Sequence, residues 1–192
     1  MLSKSADMRY NWVVVTLAAI DLTEDDRTRR RRVADGCAEE GIRGIRTEAG
    51  VMKYEHTIDI DASPAVVWAV LADVPAWPTW TASMSNSKWV GESGVAVGHA
   101  VRIEQPKLRP ATWTITAVDV GRSFTWETKS PGFAISACHA ISPRSAGGVT
   151  VTLSTHVRGL LAPIIGALTA KIGRRYVTTE AEGLKRRCEA QA

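Results

Sequence analysis

The chain has 192 residues, room for one domain of ordinary size and an appendage rather than two full domains. At 45% hydrophobic and 23% charged, it has neither the apolar depletion of a disordered chain nor the apolar richness of a membrane protein. The net charge of +4 suggests a polyanion only if the cations form a patch, but the two signs balance over residues 1–51. The surplus beyond them is largely Lys171, Arg174, Arg175, Lys185, Arg186 and Arg187 near the end of a helical stretch, where cations oppose the negative end of the helix dipole. No nucleic-acid partner is expected.

Taken in chain order, the first fifty residues differ from the rest. Trp12 to Ile20 is the longest apolar run, but Thr16 interrupts it and Asp21 stops it, far short of the roughly 20 residues that span a bilayer. It follows Lys4 and Arg9 as a signal peptide would, yet Ile20-Asp21-Leu22 offers no small-residue cleavage site. The opposed blocks Glu24-Asp25-Asp26 and Arg29 to Arg32, and then Gly36, Gly41, Gly44 and Gly50, predict a poorly ordered extension over 1–51. Met52, directly before the first clean strand, offers an alternative translation start, so that the ligand-binding domain is expected to span 52–192.

Tyr54 to Ile60 alternates as a strand does, and Asp61-Ala62-Ser63-Pro64 starts a helix with Ser63 as N-cap and Pro64 at its first position. Val66, Val67, Val70 and Leu71 recur at helical spacing until Asp73-Val74-Pro75 ends the helix and a second short one carries Trp77-Pro78-Thr79-Trp80. Six strands follow with short turns between them: 88–92, 97–107, 111–120, 123–129, 133–142 and 149–157. Residues 160–189 then carry Leu161, Ile164, Ile165, Leu168, Ile172, Tyr176, Leu184 and Cys188 at helical spacing, a long amphipathic helix. This is an α+β order: about seven antiparallel strands, two short helices after the first, and a last helix that must cover the sheet's concave face.

Ile60-Asp61-Ala62-Ser63-Pro64-Ala65-Val66-Val67-Trp68, Leu71-Ala72-Asp73 and Trp77-Pro78-Thr79-Trp80 together resemble the opening signature of the START-like, or SRPBCC, superfamily. Within it the chain is most similar to the polyketide cyclase/dehydrase and lipid transport group, over about residues 53–190. The resemblance implies a helix-grip (Bet v 1-like) fold with an internal cavity. It does not choose a chemistry, because the superfamily includes lipid carriers, hormone and quinone binders, aromatic cyclases and toxins of paired systems.

Strand alternation selects the inward face, although alternation is the same for a filled core and a hollow one. The expected ligand-facing set is Trp80, His99, Val101, Ile103, Trp113, Ile115, Phe124, Trp126, Ile135, His139 and Leu153, with Leu161, Ile164, Leu168 and Ile172 from the helix. Val97 and Ala117 fall on the same inward count, with Thr128 and Thr155 as hydroxyls, while His56, His156 and Cys138 count as outward. His99 and His139 are the weak catalytic candidates, since imidazoles titrate near neutral pH. No glycine-rich phosphate loop, Gly-x-Ser-x-Gly elbow, His-Glu-x-x-His motif or inward carboxylate pair is present to support a reaction. Cys37, Cys138 and Cys188 form neither a metal knuckle nor a redox pair and read as idle thiols in a reducing cytoplasm. No metal and no cofactor are expected.

The leading expectation is a cytoplasmic protein that binds or carries an apolar small molecule (lipid, polyketide or isoprenoid-like). Two others stand beside it: a cyclase- or dehydratase-type enzyme using an inward histidine, and a protein that docks on a membrane surface or partner through the basic face of its last helix.

Overall fold

Strand β1 (Met52–Ile60) leads through Asp61-Ala62 into helix α1 (Pro64–Ala72), and Ser63 caps it as its sequence predicts, its Oγ accepting the Val66 N–H at 3.4 Å. The structure, a computed structural model, describes residues 52–192; the extension over 1–51 lies outside the described residues, and they do not bear on a start at Met52. The second short helix is a 3-10 segment, Val74–Thr79. Its Trp77 is fully buried and donates from Nε1 to the Leu71 carbonyl at 3.1 Å, which fastens the segment to the end of α1.

Strands β2 (Asn86–Val90), β3 (Ala100–Glu104), β4 (Ala111–Asp119), β5 (Ser123–Ser130), β6 (Phe133–Pro143) and β7 (Val149–Arg158) form an antiparallel meander, and β1 pairs with β7 to give the order β1-β7-β6-β5-β4-β3-β2. Helix α2 (Ala162–Glu189) runs about 42 Å across the inner face of this curved sheet, against β1 and β7, and reaches α1 at its far end.

Two bulges alter the predicted inward face. Gly98 donates its N–H to the Ile115 carbonyl at 2.9 Å while His99 accepts the Ile115 N–H at 2.9 Å, so two residues oppose one; Gly98 reaches this geometry at φ 93°, which a side chain would disfavour. As a result β3 begins only at Ala100, Val97 is exposed, and His99 leaves the inward register. A second shift between Ile115 and Ala117 sets Val118 opposite inward Phe124 and Ala117 opposite outward Thr125, so Val118 takes the core place expected of Ala117. His56, counted as outward, is half-buried in register with inward Leu153.

The largest correction concerns α2. Leu161, Ile164 and Leu168, expected to grip the sheet, are 42%, 60% and 76% exposed, and Leu160 is 94% exposed. The first turns of the helix are apolar on two stripes, which leaves helical spacing unable to tell which of them meets the sheet. The sheet takes the stripe that includes Ile165, Ile172 and Val177. Toward the C-terminus, Ala181, Leu184 and Cys188 are fully buried. Gly183 permits that approach, because a Cβ there would lie 2.4 Å from the Trp80 carbonyl oxygen. The helix end is pinned by Glu189, whose carboxylate accepts the Asp61 N–H at 3.0 Å and Lys185 at 2.9 Å; these bonds hold its carboxyl below the ordinary range. Burial pushes the free Cys188 thiol up to about 11. The reading of an idle thiol holds for Cys188, which is free and buried.

Candidate functional site: an apolar cavity with one acid–base pair

The inner face of the sheet is divided between packing and space. Under α1 and the 3-10 segment it is solid: Val101, Ile115 and Phe124 are buried there, and Trp77 lies 5.3 Å from the ring of Trp126 and 6.4 Å from that of Phe124. Under the first half of α2 it is hollow. A cavity of about 410 Å³ lies there, within the roughly 300–1,000 Å³ of small-molecule pockets. Its floor is Trp113 on β4, Trp126 and Thr128 on β5, Ile135 and His139 on β6, and Leu153 and Thr155 on β7; its roof is Ile165, Thr169, Ile172, Tyr176, Val177 and Glu180 on α2. Leu108, Arg109 and Pro110 line it from the exposed β3–β4 loop and mark where it reaches the surface.

Of the residues expected at the ligand, Ile103, Trp113, Trp126, Ile135, His139, Leu153 and Ile172 line this cavity. Val101, Ile115 and Phe124 belong to the solid half, Ile164 and Leu168 to the outer face of α2, and Leu161, just before the helix, lies against Gly132 of the β5–β6 turn. Trp80 packs 5.3 Å from Trp77 in the solid half, its Nε1 enclosed without a partner among the described residues. His99 sits in the loop before β3, its Nδ1 3.0 Å from the Gly94 carbonyl and its Nε2 2.9 Å from the Glu92 carboxylate. It is absent from the cavity wall, so His139 alone of the two histidines is at the cavity.

His139 is 3% exposed and stacked on Phe124 at 4.5 Å, with Trp77 and Trp126 edge-on at 5.2 and 5.4 Å. Its Nε2 lies 2.8 Å from Oε1 of Glu180 on α2. The inward polar groups expected from the strands included no carboxylate, and the helix adds this one. Glu180 sits in a charged stretch of the helix, and only the turn of α2 over the sheet directs it inward.

Three other polar side chains on the wall are engaged in hydrogen bonds to backbone carbonyls. Tyr54 donates to the Gly166 carbonyl at 2.8 Å with the Arg174 guanidinium 5.8 Å over its ring, and burial pushes its phenol up. Tyr176 donates to the Pro106 carbonyl, and Thr169 to the Ile165 carbonyl at 2.7 Å. These bonds tie the roof to β1 and to the β3–β4 loop. Among the described residues no cluster of His, Cys, Asp or Glu is suited to hold a metal ion, and no helix is long and apolar enough to cross a membrane.

Residues 51–189 match the family model described as polyketide cyclase/dehydrase and lipid transport. Among solved structures the chain is similar to the major latex-like protein 151 of Panax ginseng, at 16% identity over 74% of this chain and 98% of that one, TM-score 0.59. The Zhui aromatase/cyclase of Streptomyces sp. R1128 matches at 18% identity over 73% and 95%, TM-score 0.60. A truncated norcoclaurine synthase of Thalictrum flavum matches at 13% over 76% and 96%, TM-score 0.58. At such identities the likeness is one of fold. No curated protein matches the sequence. The match over most of its length makes the chain a member of the polyketide cyclase/dehydrase and lipid transport family, within the START-like, or SRPBCC, superfamily.

Proposed function

We propose that this member of the polyketide cyclase/dehydrase and lipid transport family binds an apolar small molecule between its sheet and the first half of α2. The observation that carries the reading is the cavity itself, about 410 Å³ and walled mainly by aliphatic and aromatic side chains, with its open end at Leu108 to Pro110. Burying apolar ligand surface there supplies on the order of 25 cal/mol per Å² before the costs of association. The flat faces of Trp113 and Trp126, whose rings lie 5.7 Å apart, suit a planar skeleton.

The test is a fluorescence titration with 1-anilinonaphthalene-8-sulfonate. Saturable binding is expected, and Ile135→Trp, which fills the floor, should weaken it by about tenfold or more. Absence of saturable binding, or equal binding by the filled variant, would sink the reading.

One observation favours a second reading, an enzyme of cyclase or dehydratase type: the inward histidine has a carboxylate partner, His139 to Glu180 at 2.8 Å, and such a pair can take and return a proton.

A further inference from the structure

The His139–Glu180 pair is asymmetric. The ring of His139 is enclosed by Phe124, Trp77 and Trp126, and its Nδ1 is buried with no partner among the described residues. The hydrogen-bond network therefore assigns the proton. With the proton on Nε2, the imidazole donates to the Glu180 carboxylate and leaves only an unused lone pair at Nδ1. With the proton on Nδ1, or on both nitrogens, an N–H is buried without an acceptor, which is the costlier arrangement. The geometry thus points to Nε2 as the donor and the Glu180 carboxylate as the acceptor.

The Glu180 carboxylate has its Oε1 engaged by this bond. The other oxygen, Oε2, has no partner among the described residues, and the side chain keeps 12% of its surface on the cavity wall. A carboxylate oxygen accepts hydrogen bonds, and one on a largely apolar wall is suited to a donor that arrives with the ligand. Three hydroxyls of the wall are spent elsewhere: those of Tyr54 and Thr169 each bond a backbone carbonyl of α2, and that of Tyr176 bonds the β3–β4 loop.

We propose that Glu180 is the polar anchor of the cavity and that its ligand is a planar apolar molecule bearing an uncharged hydroxyl, a phenol or an alcohol, which donates to Glu180 Oε2. His139 is then a positioning residue: it fixes the carboxylate rotamer and does not itself reach the ligand. This inference rests on the cavity being the binding site.

The test compares three probes of nearly the same shape, naphthalene, 2-methoxynaphthalene and 2-naphthol, on the full chain. Naphthalene and 2-methoxynaphthalene report the cavity, and 2-naphthol adds only the donor. The wild type should prefer 2-naphthol over 2-methoxynaphthalene by about tenfold, the scale of a hydrogen bond to a charged acceptor. Glu180→Met should abolish that preference and His139→Phe should lower it, each read as the ratio of 2-naphthol to 2-methoxynaphthalene affinity within the same variant. Equal wild-type affinity for 2-naphthol and its ether would overturn the inference while leaving the cavity reading intact, and this comparison needs no variant to fold. A preference that survives Glu180→Met would also overturn it. Failure of all three probes to bind would overturn the cavity reading itself.

Discussion

The two halves of α2 use the same helix in opposite ways. From Ala181 to Cys188 it is a packed element: Leu184 and Cys188 are fully buried, Gly183 brings the backbone against Trp80, and Glu189 ties the end to Asp61. From Ala162 to Val177 it is a roof, with one face over open cavity and the other, Ile164 and Leu168, in solvent. The roof stands over the cavity on hydrogen bonds from Tyr54 on β1 to the Gly166 carbonyl and from Tyr176 to the β3–β4 loop, while the close side-chain packing lies between Ala181 and Cys188. Stability and ligand capacity are thereby placed on separate stretches of one helix.

That division can be broken in order of expected effect. Leu184→Ala in the anchored half should cost about 3 kcal/mol, the scale of a large-to-small change in a filled core, read from the urea midpoint. A loss below about 1 kcal/mol would mean the anchor is not packed as described.

Cys188 sharpens the same point through pH. Its thiol titrates at about 11 in the folded protein against a reference value of 9.0, so the unfolded chain releases the proton first as pH rises. The stability that Cys188 contributes should be intact below pH 9 and decline between pH 9 and 11, seen as a shrinking difference in urea midpoint between wild type and Cys188→Ala. A difference that stays constant across that window would contradict the burial of this thiol.

The smallest effect belongs to the roof. Ile164→Ser combined with Leu168→Ser should change stability by no more than about 0.5 kcal/mol, because both side chains already face solvent. A cost of several kcal/mol would show that these residues grip the sheet after all.

The sequence by itself settled the order of elements and much of their chemistry. Ser63-Pro64 starts α1 because a hydroxyl cap and a missing N–H are local properties, and the alternation in β5 to β7 identifies the inward residues because side chains alternate with period two in any regular strand. Ile135, His139 and Leu153 were legible at the cavity for that reason. Local rules failed where the chain departs from regularity or where two faces look alike. The bulge at Gly98 removed His99 from the wall, and the shift after Ile115 exchanged Ala117 for Val118. On α2, Leu161, Ile164 and Leu168 have the same spacing and hydrophobicity as the stripe that faces the sheet, so only the docking of the helix chose between them. Glu180 was missed although it lies four residues after Tyr176 and four before Leu184, on their stripe; that it meets His139, 41 positions earlier in the chain, was decided by the docking of the helix. Whether the inner face is solid or hollow was likewise decided by tertiary structure, since apolar residues line both, and it is the distance between layers, set by α1 on one side and α2 on the other, that leaves room for a ligand.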